Sequence, residues 1–142
     1  MGNVAKIDNG FKTYDIVDQN NKKVGQFSFN PADTNMIERY NEVVSEFPKV
    51  VDMFQKKEGK KETSELLAEL DQYTYELIDK IFNAEVSANF FSIMGPFSVL
   101  ANGHFFAESV IETIGNVIES EMGARVKKMN SKIKKYTAKY EG

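Results

Sequence analysis

The sequence predicts an α+β, mainly α fold: an N-terminal β-hairpin followed by a helical bundle with a long C-terminal helix. Three observations predict it. Residues 11–29 hold two runs rich in aromatic and β-branched types around a polar turn, the signature of a β-ribbon. From Asn30 onward the apolar residues recur at steps of three and four, the period of helices packed on one side. The last such run, from about His104 to Tyr140, contains no Pro and at 1.5 Å per residue would be roughly 50 Å long.

The hairpin comes first. Its strands are 11–18 (FKTYDIVD), with Tyr14 and Ile16 on one face, and 23–29 (KVGQFSF), with Phe27 and Phe29 on one face. Gln19, Asn20, Asn21 and Lys22 form the turn, where Asn tolerates positive φ. Gly25 marks a bulge or a close approach. A two-stranded hairpin is marginal alone, so these apolar faces must pack on a helix or pair with another chain.

In the first helix Asn30 is the expected N-cap, Pro31 suits the first helical position, and Asp33 favours the positive end of the dipole. Its stripe is Met36, Tyr40, Val43, Phe47, Val50 and Phe54. Pro48 lies inside the stripe and predicts a kink, or two helices meeting near Phe47. Residues 56–62 (KKEGKKE) have no apolar side chain and read as a solvated loop. A further helix spans about Thr63 to Phe82, with Leu66, Leu70, Tyr73, Leu77 and Ile81 buried. Residues 83–103 are the least regular and among the most apolar. Here the expectation is a short helix, a turn at Gly95-Pro96, and a second short helix ending at Asn102-Gly103. The last stripe is Phe106, Val110, Ile114, Ile118, Met122, Val126, Met129, Ile133, Tyr136 and Tyr140. A compact body of this size cannot cover so long a helix, so its final third should project or dock on another subunit.

A chain of 142 residues bounds the protein to one domain, or one domain plus an arm. The expected organisation is a flexible N-terminus over 1–10, a single hairpin-plus-helical domain over 11–124, and a basic helical extension over 125–142. Charge follows the same division: residues 1–30 carry +1, residues 31–124 carry −10 and the last eighteen carry +6. The absence of cysteine excludes disulfides, thiolate metal sites and thiol nucleophiles, and the single histidine removes most histidine-based metal sites. No apolar run approaches the roughly 20 residues of a membrane span, residues 1–10 lack a signal-peptide stretch, and Lys6 argues against myristoylation. A cytoplasmic protein is expected.

No residue pattern points to catalysis, a cofactor or a metal. His104 has no nucleophile motif around it and reads as a surface or helix-start histidine. Glu38, Glu42 and Glu46 are spaced four apart and read as a solvated helix face, as do Glu65, Glu69 and Glu76. Two features carry binding potential. Phe90, Phe91, Phe97, Phe105 and Phe106 crowd around irregular backbone and form the candidate partner-binding set, against the plainer alternative that they are core. Arg125, Lys127, Lys128, Lys132, Lys134, Lys135 and Lys139 form a basic tail, a candidate for nucleic acid, for helix-dipole stabilisation, or for acidic partners. Nucleic acid is the less favoured of these.

The hairpin FKTYDIVDQNNKKVGQFSF running into NPADTNMIERYNEVV, and the later LIDKIFNAEVSANFFSIMGPFSVLANGHFFAESVIETI, resemble the tail assembly chaperones of siphophages and prophages, small proteins encoded beside the tape measure protein. The likeness covers about residues 11–120 and is one of layout; the basic end is not part of it. The resemblance implies a non-enzymatic protein of the bacterial host cytoplasm that binds and shields the tape measure protein during tail assembly. It also implies self-association into a homo-oligomer and, in many relatives, a longer frameshifted form. The alternatives are a nucleic-acid-associated protein acting through the basic tail, and a structural tail or connector subunit.

Overall fold

In the computed structural model, residues 2–8, 10–57 and 63–141 are described, with side chains described through Gly123 apart from those of Lys57 and Thr63. A two-stranded antiparallel sheet precedes the helices, so the chain is α+β and mainly α. Strands β1 (Lys12–Val17) and β2 (Lys23–Phe29) pair with Tyr14 opposite Phe27. Asp18 organises the turn: its carboxylate accepts from the backbone N–H groups of Asn20 and Lys22, and Asn21 takes φ 62°. Such a local side-chain acceptor is what Asp offers a turn. The register slips between Ile16 and Val17, leaving Val24 as the extra residue of a bulge. Gly25 beside it also meets the body, since a Cβ there would lie 2.7 Å from the backbone oxygen of Asn89. Bulge and close approach therefore coincide.

Helix α1 (Asn35–Lys57) begins four residues later than the sequence suggests. Asn30 does not cap it. Its side-chain oxygen accepts from Ala32 N and its carbonyl from Asp33 N, turning the chain out of β2 before any helix winds. Asp33 then serves the helix start, its carboxylate accepting from Asn35 N at 3.0 Å. Met36, Val43, Phe47 and Val50 are buried as expected, with Tyr40 and Phe54 half-buried. Pro48 neither ends nor splits the helix. It is exposed, and the carbonyl it deprives of a hydrogen bond belongs to Val44, itself 43% exposed, so water can serve that group.

Helix α2 (Thr63–Phe82) lies against α1. Tyr73 is not on its buried stripe: it is 36% exposed and donates its hydroxyl to Glu46. Thr74 and Ile78 are buried instead, and Thr74 can be, because its hydroxyl donates to the Leu70 carbonyl at 2.8 Å. Asn83, with φ 53°, closes α2. Its N–H donates to Lys80 O and that of Ala84 to Asp79 O, the paired bonds of a Schellman cap. The Asp79 side chain accepts from Val86 N at 2.8 Å and Ser87 N at 2.7 Å, which fixes the start of α3 (Ser87–Phe91). Arg39 ties the corner together, donating to Ile81 O and to Asp33, each at 3.0 Å.

Beyond α3 the turn at Gly95-Pro96 is present, but the second short helix is not. Leu100 N donates to His104 O, Gly103 N donates to Leu100 O, and Val99 pairs with Phe105, making a tight loop that relies on φ 85° at Gly103. Helix α4 (Phe106–Glu141) therefore starts at Phe106 rather than His104. Two of its opening N–H groups find loop acceptors: Phe106 N donates to Ser98 O and Ala107 N to Pro96 O. Its first half buries Ala107, Val110, Ile111, Ile114 and Ile118. The expected projection of the final third concerns residues whose side chains lie outside the described set. Among the described residues no helix is long and apolar enough to cross a membrane.

Candidate functional site

The structure divides the five candidate phenylalanines into two groups. Phe90 and Phe91 are buried on α3 and Phe106 is half-buried at the head of α4. Phe90 packs on Phe27 and Phe82, while Phe91 packs on Tyr75 and Phe106. Phe97 and Phe105 point elsewhere, joining Phe47 and Phe54 of α1 in a second aromatic cluster. With Phe90, Phe91 and Phe97 buried, the five do not form one exposed apolar surface. Large rings on irregular backbone are the main cover for this end of the core, because the loop supplies no long helix to do it.

Two of them still reach a candidate site. Phe90 and Phe106 help to line a cleft of about 310 Å³ between β1 and α4, together with Tyr14, Ile16, Ile93 and Val117. Its rim is apolar and open: Val17 is 50% exposed and Ile93 38%. The hairpin closes one side of the cleft because Lys12 pairs with Glu121 of α4 at 2.9 Å and the Tyr14 hydroxyl donates to the same carboxylate. A mainly apolar cleft bounded by a strand edge and a helix suits the apolar side chains of a client peptide or helix. Val17 stands at a strand position whose neighbours alternate polar and apolar, and that departure from alternation is the signal the sequence holds for this rim.

A second apolar surface runs between α1 and α4. Tyr40, Val44, Phe47 and Val51 of α1 line it with Glu108 and Ile111 at one end, and Ile37 lines it with Gly115, Glu119 and Met122 at the other. The two helices are thus antiparallel along this groove. Its signal in the sequence is a set of doublets, Met36-Ile37, Val43-Val44 and Val50-Val51, repeating every seven residues. One member of each doublet is buried; the other widens the apolar arc toward the groove. Tyr40 crosses the groove floor and donates its hydroxyl to Ile111 O at 3.1 Å. A side chain at Gly115 would overlap that hydroxyl, which is why glycine stands there. Burial and the nearby Glu112 push the Tyr40 phenol above its usual range.

Several polar groups outside these surfaces have structural partners. His104 is exposed and bonded to Glu108 at 2.7 Å, a helix-start pair with no third group orienting it among the described residues. Glu42 pairs with Lys80 and Glu46 with Lys49. Asp71 differs: its buried Oδ1 meets no hydrogen-bond donor among the described residues, and burial pushes its carboxyl above the usual carboxylate range. Among the described residues no three histidine or carboxylate side chains converge as a metal-ligand set. The basic tail, Arg125 to Lys139, is carried by the α4 backbone, with side chains outside the described residues. Comparison with protein-family models, with curated proteins and with solved structures returns no match to this chain.

Proposed function

We propose that this chain is a non-enzymatic tail assembly chaperone that binds an amphipathic helix of a tape measure protein and shields it in the bacterial host cytoplasm during tail assembly. The resemblance of residues 11–120 to that family motivates the proposal. The observation that supports it is the open apolar cleft between β1 and α4, with exposed Val17 and Ile93 on its rim and Phe90 and Phe106 in its wall. A client helix would lay apolar side chains at three- and four-residue spacing onto this cleft. The acidic body around it, −10 over residues 31–124, keeps the loaded complex soluble.

The test is co-expression with the neighbouring tape-measure segment, measuring how much client co-purifies in soluble form. Val17→Asp and Ile93→Asp alter exposed groups and leave the core intact, so each should weaken client binding at least about tenfold. Phe97→Asp is unsuited to this purpose, because Phe97 is buried. Full client retention by folded Val17→Asp and Ile93→Asp proteins would overturn the assignment of the cleft. Steeply salt-dependent DNA binding that disappears on deleting residues 125–142 would favour the nucleic-acid alternative.

A further inference from the structure

Helix α4 is bipolar. Its first half, 106–124, carries four glutamates and no basic residue, for a net of −4; residues 125–142 carry +6. Its apolar residues are bipolar too. The face that borders the α1–α4 groove includes Glu108, Glu112, Gly115, Glu119 and Met122. Continuing that face at steps of four and three gives Val126, Met129, Ile133, Tyr136 and Tyr140. In sequence, that continuation over the second half is apolar, whereas the first half of the face carries carboxylates and a glycine beside an apolar floor supplied by α1.

We propose that two copies of this chain pair through antiparallel α4 helices, about a two-fold axis between Gly123 and Ala124. Each copy's segment 125–141 lies in the groove between α1 and α4 of the other. The stripe from Val126 to Tyr140 covers fourteen residue steps and the α4 wall from Glu108 to Gly123 fifteen, each roughly 21–23 Å at 1.5 Å per step. With the axis at that point, Glu108 is level with Lys139 of the second copy, Glu112 with its Lys135 and Glu119 with its Lys128. A parallel pair would instead set −4 against −4 and +6 against +6. The occupant comes from a second copy because α4 is one helix from Phe106 to Glu141, so its end runs away from its own groove. Gly123 suits the crossing point, since a Cβ there would meet nothing within 4 Å among the described residues, leaving room for a neighbour. An isologous contact of this kind closes as a dimer. It does not depend on the client proposal, which uses the opposite cleft.

Sedimentation of the full chain at tens of micromolar should show a dimer. Glu112→Lys with Glu119→Lys should raise the dissociation constant at least about tenfold, and adding Lys128→Glu with Lys135→Glu should restore it. Far-UV circular dichroism checks that each variant is folded. The absence of native cysteine makes orientation directly readable. Ala124→Cys should cross-link to itself on oxidation. Asn116→Cys should not, because its two copies would lie roughly 22 Å apart along the paired helices, but it should link to Ser131→Cys in a mixture. A monomer, a dimer indifferent to the charge swaps, or self-linking of Asn116→Cys would each overturn the pairing.

Discussion

Two aromatic clusters hold the body together, and they are built differently. In the hairpin cluster, Tyr14, Phe27, Phe29, Phe82 and Phe90 stand on β1, β2, α2 and α3, with neighbouring ring centres 5.1–6.2 Å apart. In the α1 cluster, Phe47 and Phe54 stand on a helix, but Phe97 and Phe105 stand on the loop between Gly95 and Phe106. The first cluster depends on elements meeting at a fixed distance. The second depends on a loop whose backbone is fixed by bonds to the head of α4. Periodic backbone can place a ring by itself; irregular backbone places one only when tertiary hydrogen bonds hold it.

The largest expected effects come from emptying either cluster. Phe27→Ala and Phe97→Ala remove rings that are 5% and 8% exposed, and each should cost about 3–5 kcal/mol in chemical denaturation. A loss below about 1 kcal/mol for Phe27→Ala would show that the hairpin does not dock on α2 and α3 in the isolated chain. Equal losses would place the loop-borne cluster on the same energetic footing as the strand-borne one.

A smaller effect separates the two kinds of backbone. Gly25→Ala should cost about 1–3 kcal/mol, because the added carbon meets the Asn89 carbonyl, a backbone group that cannot rotate aside. Gly95→Ala, in the loop that carries Phe97, meets only the Ser98 hydroxyl at 3.8 Å and should be nearly neutral. Comparing their denaturation midpoints tests whether close approach is confined to the hairpin side.

The smallest effect concerns α2 beside the Tyr75–Phe91 contact. Burial of the ring raises the Tyr75 phenol, with the nearby Asp71 adding to it, and burial also raises the Asp71 carboxyl. A carboxyl raised in the folded state destabilises it once pH climbs through the window between the unfolded carboxylate value and the raised one; below that window the penalty is absent. Asp71→Asn should therefore stabilise at neutral pH, by at most about 1 kcal/mol given partial exposure. The gain should fade toward pH 3. A gain independent of pH would mean that the buried oxygen, rather than its charge, carries the cost.

The sequence by itself determined the element order, the face of each long element and the uneven charge. Alternation placed Phe27 and Phe29, and steps of three and four placed Met36, Val43, Phe47 and Val50, because burial on one side imposes the period of the backbone on the apolar residues. Tertiary structure decided the rest. The start of α1 depends on Asn30 spending its side chain on the turn rather than on the helix, a choice between two local bonds. The burial of Thr74 over Tyr73 depends on where α1 lies, which no single-helix period contains. The loop at 96–105 replaced an expected helix because the carbonyls of Pro96 and Ser98 are needed by the first N–H groups of α4. The candidate cleft was half legible, through Phe90 and Phe106. Its rim at Val17 and Ile93, and its closure by Glu121, arise only when the hairpin and α4 meet across more than a hundred residues of chain.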